Sequence, residues 1–255
     1  MTAPGFDLER AKLARTLAEF ALATPALLAD RHLLRRADTK FVLSPHAVAG
    51  ILAGVADAYA VVPVGDDHLA TYANIYFDTS DLQCFHDHRR GRRHRHKIRI
   101  RSYVDRRLAF IEVKSRRNEV QTDKARLQIP YGTDALDPAL RAFVARHCSF
   151  DDLVPAVAID YRRIMLAGLA TEERVTIDLG ITVDRDAGLA VGAVAIVEVK
   201  QPTRSFATPI MRAIREAGHA PCSVSKYVMA LAPRPTVRAN RFLPSLRRLE
   251  RIAHK

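Results

Sequence analysis

The chain has no tryptophan, only 7% aromatic residues, three cysteines and too few acids to balance its bases. Scarce aromatic rings argue against recognition of single-stranded nucleic acid, whose bases stack on such side chains. Cys84, Cys148 and Cys222 are widely separated and form no CxxC pair. That arrangement excludes a disulfide framework and a thiolate zinc site, and it suits a reducing compartment. No apolar run approaches the ~20 residues that a membrane-spanning helix requires. The N-terminus mixes acids and bases among short apolar pieces rather than presenting a signal-peptide core. A soluble, cytoplasmic protein with no transmembrane segment is therefore the expectation.

The shortage of acid is the informative absence. Forty Lys and Arg face 28 Asp and Glu, giving a formal charge of +12 and a pI of about 10.0. Such an excess points to a polyanionic partner: nucleic acid, anionic lipid or a phosphate-rich metabolite. The rest of the composition, 48% hydrophobic and 27% charged, is ordinary for a globular protein. The 255 residues divide into a helical segment over 1–34, a main domain over 35–232 and a basic tail over 233–255.

Residues 6–24 (FDLERAKLARTLAEFALAT) repeat apolar positions at helical spacing and predict an amphipathic helix that ends before Pro25. Ser44-Pro45, Asp137-Pro138 and Thr208-Pro209 each place a capping side chain before a proline, which predicts three further helix starts. Gly218 is placed to close the last of these helices. ANIYFDT, HKIRIRSY, LAFIEVKS, RVTIDLGITVD and AVAIVEVKQ alternate with period two and predict strands. The tail PRPTVRANRFLPSLRRLERIAHK has seven bases, one acid and three prolines, and is expected to be at most partly ordered. The N-terminal helix or this tail would be the place for a protein partner.

In HRHKIRIRSY the bases Arg95, Lys97, Arg99 and Arg101 occupy alternate positions, with Ile98 and Ile100 between them. Successive side chains leave opposite faces of a strand, so one face here is cationic and the other apolar. An antiparallel sheet with one wet side would show the same alternation. The pattern returns elsewhere: Glu112 and Lys114 against Ile111 and Val113, Glu198 and Lys200 against Val197 and Val199, and Arg174, Thr176 and Asp178 against Val175 and Ile177. Upstream, Asp38 and Lys40 alternate with Ala37, Thr39 and Phe41. If such strands curl together with their charged faces inward, they enclose a basic tunnel containing a few acids, an environment for polyphosphate and a divalent metal.

In order, RRADTKFVLS, NIYFDT, KIRIRSYVDRRLAFIEVKSRRNEVQTDKARL, DYRRIML, ERVTIDLGI, AIVEVK and SVSKYV resemble the motifs of the VTC (polyphosphate polymerase) domain. That family belongs to the triphosphate tunnel metalloenzymes and is related to the CYTH proteins. The resemblance implies an α+β fold, an antiparallel β-barrel tunnel with flanking helices. It also implies metal-dependent phosphoryl transfer from a nucleoside triphosphate to polyphosphate, with Mn²⁺ or Mg²⁺. Carried onto this sequence, Arg99 and Arg101 match the R-x-R pair, Lys114 the lysine of the first E-V-K, and Lys124 and Arg126 the K-x-R. Arg163 matches the arginine of Y-x-R, Arg174 that of R-V-T-I-D, and Lys226 the lysine of S-K-Y. Lys40 matches the base that ends the N-terminal motif. Glu198 matches the metal-binding glutamate, with Glu112 beside it as a second metal candidate. Lys97 and Lys200 share the inner faces of the same strands and join the phosphate-binding set. Where CYTH hydrolases carry a run of glutamates, this chain has RADTK with Asp38 as its one acid, which places it nearer the VTC branch.

Other sets compete for attention. His86, His88, His94 and His96 flank RRGRR, and a hairpin centred near Gly91 would gather them as zinc ligands. A solvated basic hairpin is the simpler expectation. RRGRRHRHK also has the composition of a nucleic-acid patch, but without interleaved aromatics a nucleic-acid partner is not expected. Asp66, Asp67 and His68 form a possible metal set in what reads as an exposed loop. Two functional alternatives stand beside polymerisation: a polyanion-binding module without catalysis, and a triphosphatase.

Overall fold

A computed structural model describes residues 4–31, 36–66, 68–116, 122–184 and 194–253. Asp67 of the candidate Asp66-Asp67-His68 set lies outside the described residues, as does Arg35 of the RRADTK motif. The architecture is α+β. Its main sheet runs β2 (Ala37–Leu43), β10 (Ala195–Gln201), β9 (Arg174–Val183), β8 (Val154–Gly168), β4 (Ala70–Asp78), β5 (Arg95–Tyr103), β6 (Leu108–Arg116) and β7 (Thr122–Ile129). Every pair of neighbours in that order is antiparallel. A short β3 (Tyr59–Val61) pairs with β8 and is joined on its other side by β1 (Ala21–Leu22), in parallel.

Register places the chemistry on one face. Lys97 lies opposite Lys114, which lies opposite Lys124, while Arg99 lies opposite both Glu112 and Tyr76. Across the sheet, Glu198 lies opposite Lys40 and Thr176, Lys200 opposite Asp38 and Arg174, and Arg163 opposite Asp178. Paired positions share a face, so these side chains all emerge on the same side. Between Asp160 and Arg162 the β8–β9 register shifts. Gly180 at φ +55° supplies the left-handed residue in the bulged strand, a conformation that other residues adopt at a cost.

The opposite face is apolar and covered by helices. Helices α1 (Pro4–Leu17), α3 (Pro45–Ala53) and α6 (Pro209–Glu216) bring Leu17, Leu52 and Ile214 into one core with Phe41, Val175 and Val197. Helix α5 (Pro138–Ala145) brings Leu140, Phe143 and Val144 against Ile98, Ile111 and Val113. Ser44 Oγ accepts from the Ala47 N–H at 3.3 Å and Asp137 Oδ1 from the Leu140 N–H at 2.8 Å, so both expected caps form. Thr208 starts α6 through the following proline without a side-chain cap bond. Gly218, at φ +79°, follows that helix as expected.

Among the described residues the edge strands β2 and β7 share no ladder, so hydrogen bonds there do not close the sheet into a barrel. Curvature nevertheless brings its two halves to one interior, where the segment leading into α7 (Lys226–Leu231) connects them. Cys222 N–H donates to Lys40 O on β2 at 2.8 Å, and Ser225 Oγ accepts from Lys97 Nζ on β5 at 2.9 Å.

Three expectations need correction. The N-terminal helix stops at Leu17 rather than running to Thr24, because Ala21–Leu22 pairs with Ala60 and Val61 and protects that edge. The stretch expected to form a hairpin around Gly91 contains helix α4 (Gln83–Arg90), capped by Gly91 in the left-handed region. Asp78, fully buried, receives the N–H groups of Cys84 and Phe85 at 2.8 and 3.0 Å and fixes the start of that helix. The tail expected to be poorly ordered forms helix α8 (Leu243–Ala253), docked through Leu249 and through Phe242 against Phe85.

Among the described residues, no helix is long and apolar enough to cross a membrane. Leu249→Ala should lower the unfolding free energy by about 2–5 kcal/mol in a denaturant titration, with faster proteolysis after residue 233. Unchanged stability would mean that α8 does not dock.

Candidate functional site: a basic interior with four paired carboxylates

Strand β5 runs from one cavity to another. Arg101 borders a cavity of about 380 Å³ with Tyr72, Tyr103, Arg163, Arg174 and Lys200. Four and six residues back along β5 from Arg101, Lys97 and Arg95 border a second cavity of about 310 Å³ with Lys40, Lys114 and Ser225. Arg99 lies between them. The sequence-predicted cations therefore converge from strands at both ends of the sheet, as the period-two faces anticipate.

Ion pairs occupy the middle. Arg99 donates from Nε and Nη2 to Glu112 Oε2 at 2.8 and 2.6 Å and from Nη1 to Tyr76 OH at 2.8 Å. Lys124 Nζ stands 2.6 Å from Glu112 Oε1, an ion pair without hydrogen-bond alignment. Arg163 grips Asp178 with both prongs, at 2.5 and 2.9 Å, and Lys226 bonds the same carboxylate. Glu198 Oε2 accepts from Lys200 Nζ at 2.5 Å, while its other oxygen is 3.7 Å from Lys40. Near the larger cavity, Asp38 is paired with Arg36 at 3.0 Å. Arg101 makes no direct ion pair among the described residues: it donates to Asn74 Oδ1 at 2.9 Å and to Tyr161 OH at 3.1 Å, and acts on Glu112 from a distance.

These contacts have electrostatic consequences. Burial raises the Glu112, Asp178 and Glu198 carboxyls, but the adjacent cations outweigh it. Glu112 is held at about 2 by Arg99, Arg101 and Lys124. Asp178 is held below the usual range by Arg163 and Lys226, and Glu198 by Lys200 and Lys40. Lys97 is the converse. Burial, then Lys40, Lys114, Arg99 and Arg95, push its ammonium well below the ordinary lysine range.

Not every expected residue joins the cluster. Arg126 faces the same side but is exposed and lies over the Phe110 ring, 5.0 Å from its centroid. Lys114 opens into the smaller cavity without an ion pair among the described residues. His86 and His88 ride on α4, and no group of three potential metal-binding His, Cys, Asp or Glu exists among the described residues. That removes the zinc set. Tyr72, Asn74, Tyr76 and Tyr161 belong to the site but are not assigned to it from sequence, and Asp178, expected on the charged face, is given no role there. Their signal was available: Tyr72, Asn74 and Tyr76 alternate in ATYANIYFD as the arginines do in HKIRIRSY.

The donor set bears on a divalent cation. Mg²⁺ and related ions are commonly held by one or two carboxylates together with substrate phosphates, so a three-ligand cage is not required. Glu198, with its side chain 21% exposed and one oxygen only loosely engaged, fits that pattern. Glu112, at 2% and clamped by two cations, fits it less well.

All three central carboxylates are depressed in the folded state, so their stabilisation is complete above the ordinary carboxylate range and is lost as pH falls through it. The unfolding free energy should be flat above about pH 5 and fall steeply toward about pH 2. Asp178→Asn, which leaves Arg163 and Lys226 uncompensated, should cost about 3–5 kcal/mol at neutral pH and flatten the acid limb. An acid limb identical to that of the parent protein would show that this network does not carry the dependence.

Comparison with known families matches residues 35–233 to the VTC domain. No curated protein matches the chain. Among solved structures, a candidate adenylate cyclase from Bacillus halodurans superposes with a TM-score of 0.54 at 10% identity, covering 77% of this chain and 97% of that one. A candidate adenylyl cyclase from Hippeastrum, described as having a dominant triphosphatase activity, gives 0.49 at 13% identity, covering 76% and 94%. The Bacillus protein shares the fold, and the family match spans the strands that build the basic interior. The chain thus belongs to the VTC domain family.

Proposed function

We propose that this chain catalyses metal-dependent phosphoryl transfer in its basic interior, extending polyphosphate from a nucleoside triphosphate. The observation that carries the reading is the convergence of Lys40, Lys97, Lys114, Arg99 and Arg101 from separate strands, with too few carboxylates to neutralise them. A linear polyanion supplies the missing charge along the whole line of cations. Family membership and the single-acid RADTK motif support polymerisation over CYTH-type hydrolysis.

Phosphoryl transfer asks a protein mainly for in-line positioning and charge stabilisation. The planar forks of Arg99, Arg101 and Arg163 suit paired phosphate oxygens, and Lys40, Lys97, Lys114 and Lys200 act as point charges beside them. Lys124, Arg174 and Lys226 complete the cationic wall. Asn74, Tyr76 and Tyr161 hold the guanidinium groups in place through neutral partners. Mn²⁺ or Mg²⁺, held by Glu198 with substrate oxygens, would supply Lewis-acid stabilisation of charge on the leaving diphosphate. Glu112 serves chiefly to orient Arg99 and Lys124.

A polyanion-binding module without chemistry is the second reading, favoured by the engagement of Glu112 and Asp178 with two cations each and of Glu198 Oε2 with Lys200. Incubation with ATP and Mn²⁺, followed by sizing of the product on a gel, separates the readings. Polymerisation predicts acid-labile chains of increasing length, reduced about 10²–10³-fold by Arg99→Ala or Glu198→Gln in folded protein. Orthophosphate without chains would indicate a triphosphatase, and tight binding without turnover a binding module.

A further inference from the structure

Among the described residues, Lys97 is the one partly buried lysine of the charged face that makes no ion pair. Lys40, Lys124, Lys200 and Lys226 stand beside Glu198, Glu112 or Asp178, and Lys114 is exposed. Lys97 Nζ donates instead to the neutral Ser225 Oγ at 2.9 Å. Lys114 lies directly opposite it on β6, Arg95 and Arg99 flank it on β5, and Lys40 borders the same cavity. Cations this close, together with burial, favour loss of a proton from an amine. Lys97 follows that rule: burial, then Lys40, Lys114, Arg99 and Arg95, lower its pKa well below the ordinary lysine range.

A neutral lysine carries a free electron pair and attacks carbonyl carbon to form an imine, and neighbouring cations activate it. The smaller cavity decides which carbonyl compounds fit. Its volume of about 310 Å³ is that of a small-molecule pocket. No Asp or Glu is among the described residues that line it, while Arg95 and Arg241 are, so an anionic group is favoured there. Val228, Met229 and Phe242 add an apolar wall for a carbon frame. Arg241 Nη1 donates to Arg89 O at 3.1 Å, and a Cβ on Gly91 would sit 2.5 Å from that nitrogen, so this glycine leaves the guanidinium its room. On α4, His88 borders the same cavity with its Nε2 buried and without a hydrogen-bond partner among the described residues. Burial, then Lys97 and Arg95, hold the pKa of its imidazole at about 2, so the ring is a neutral proton acceptor.

We propose that Lys97 is a covalent capture site for small aldehydes that carry a phosphate group, which it holds as an imine. In that step the Lys97 nitrogen adds to the aldehyde carbon and a proton passes from nitrogen to oxygen. The resulting hydroxyl then leaves as water while the C=N bond forms. Amine and aldehyde give imine and water, so no oxidant or reductant is needed. Ser225 orients the amine, Arg95 and Arg241 take the phosphate, and His88 Nε2 is the proton acceptor at the same cavity. The site stands whether or not the chain performs phosphoryl transfer. A polyanion favours the ammonium form of Lys97 and the aldehyde consumes the neutral form, so the two ligands exclude each other.

Pyridoxal 5′-phosphate is a suitable probe: the full chain is incubated with it at neutral pH, the imine is reduced with borohydride, and the labelled peptides are mapped by mass spectrometry. Lys97 should be labelled at least about tenfold faster than any other lysine, and pyridoxal, which lacks the phosphate, should label it about tenfold more slowly. Its labelling rate should rise less between about pH 8 and pH 10 than that of exposed lysines, which titrate at about 10.4. Lys97→Arg should remove this label, and Arg241→Ala should slow it about tenfold at Lys97, in proteins whose thermal melts show them folded. Label spread evenly over exposed lysines, or concentrated on Lys40 or Lys114, would overturn the proposal, as would equal labelling by pyridoxal. Protection by tripolyphosphate is read separately: selective labelling of Lys97 that tripolyphosphate does not slow would support the imine site and count against the proposed function.

Discussion

Repulsion among cations gathered on one face of a curved sheet is the constraint on which the rest depends. Two like charges about 4 Å apart cost several kcal/mol at intermediate effective dielectric, so such a face needs neighbours that offset the cost. Carboxylates do so in the middle, where Glu112, Asp178 and Glu198 each meet two cations. Neutral acceptors do so for Arg101 and Lys97, through Asn74, Tyr161 and Ser225. Under the proposed function, what these partners leave unmet becomes an affinity for polyanions. The fold serves this arrangement: an apolar outer face under helices α1, α3, α5 and α6 provides the stability against which the charged inner face can be held.

The segment SVSKYV shows how one motif serves several needs. Ser225 holds Lys97, Lys226 shares Asp178 with Arg163, and Tyr227 bonds buried Asp78 and stacks near Tyr76. Lys226 also lies 4.7 Å from the Tyr161 ring centroid, over its face. β2 and β7 are not paired among the described residues, and this segment links β2 to β5 across the open side of the sheet. A change in it would alter fold closure and charge balance together.

Strand identity and the sidedness of the site were legible in the sequence because period two is local and alternating charge makes it conspicuous. The cationic stripe of HKIRIRSY and its counterparts in FIEVK and AIVEVK lie on the face that register brings together. The tyrosine and asparagine positions of β4 carry the same period but no charge, so they read as ordinary strand residues. Helix α4 was hidden because its start depends on Asp78, several residues upstream, and on a left-handed Leu82. Helix α8 has Leu243, Leu246, Leu249 and Ile252 at three-residue spacing, but the density of arginine obscured it. The early end of α1 was not legible locally, since the partner that captures Ala21–Leu22 is β3, almost forty residues away.

The central claim is that the interior carries a charge deficit that a linear polyphosphate fills. Thermal unfolding in low-salt buffer, with and without tripolyphosphate and with sulfate at matched ionic strength as the control, tests it most directly. The account predicts a concentration-dependent rise in Tm with tripolyphosphate that corresponds to about 2.7 kcal/mol at a hundredfold excess over Kd, and a much smaller rise with sulfate. A melting curve indifferent to tripolyphosphate, or shifted equally by both anions, would contradict it.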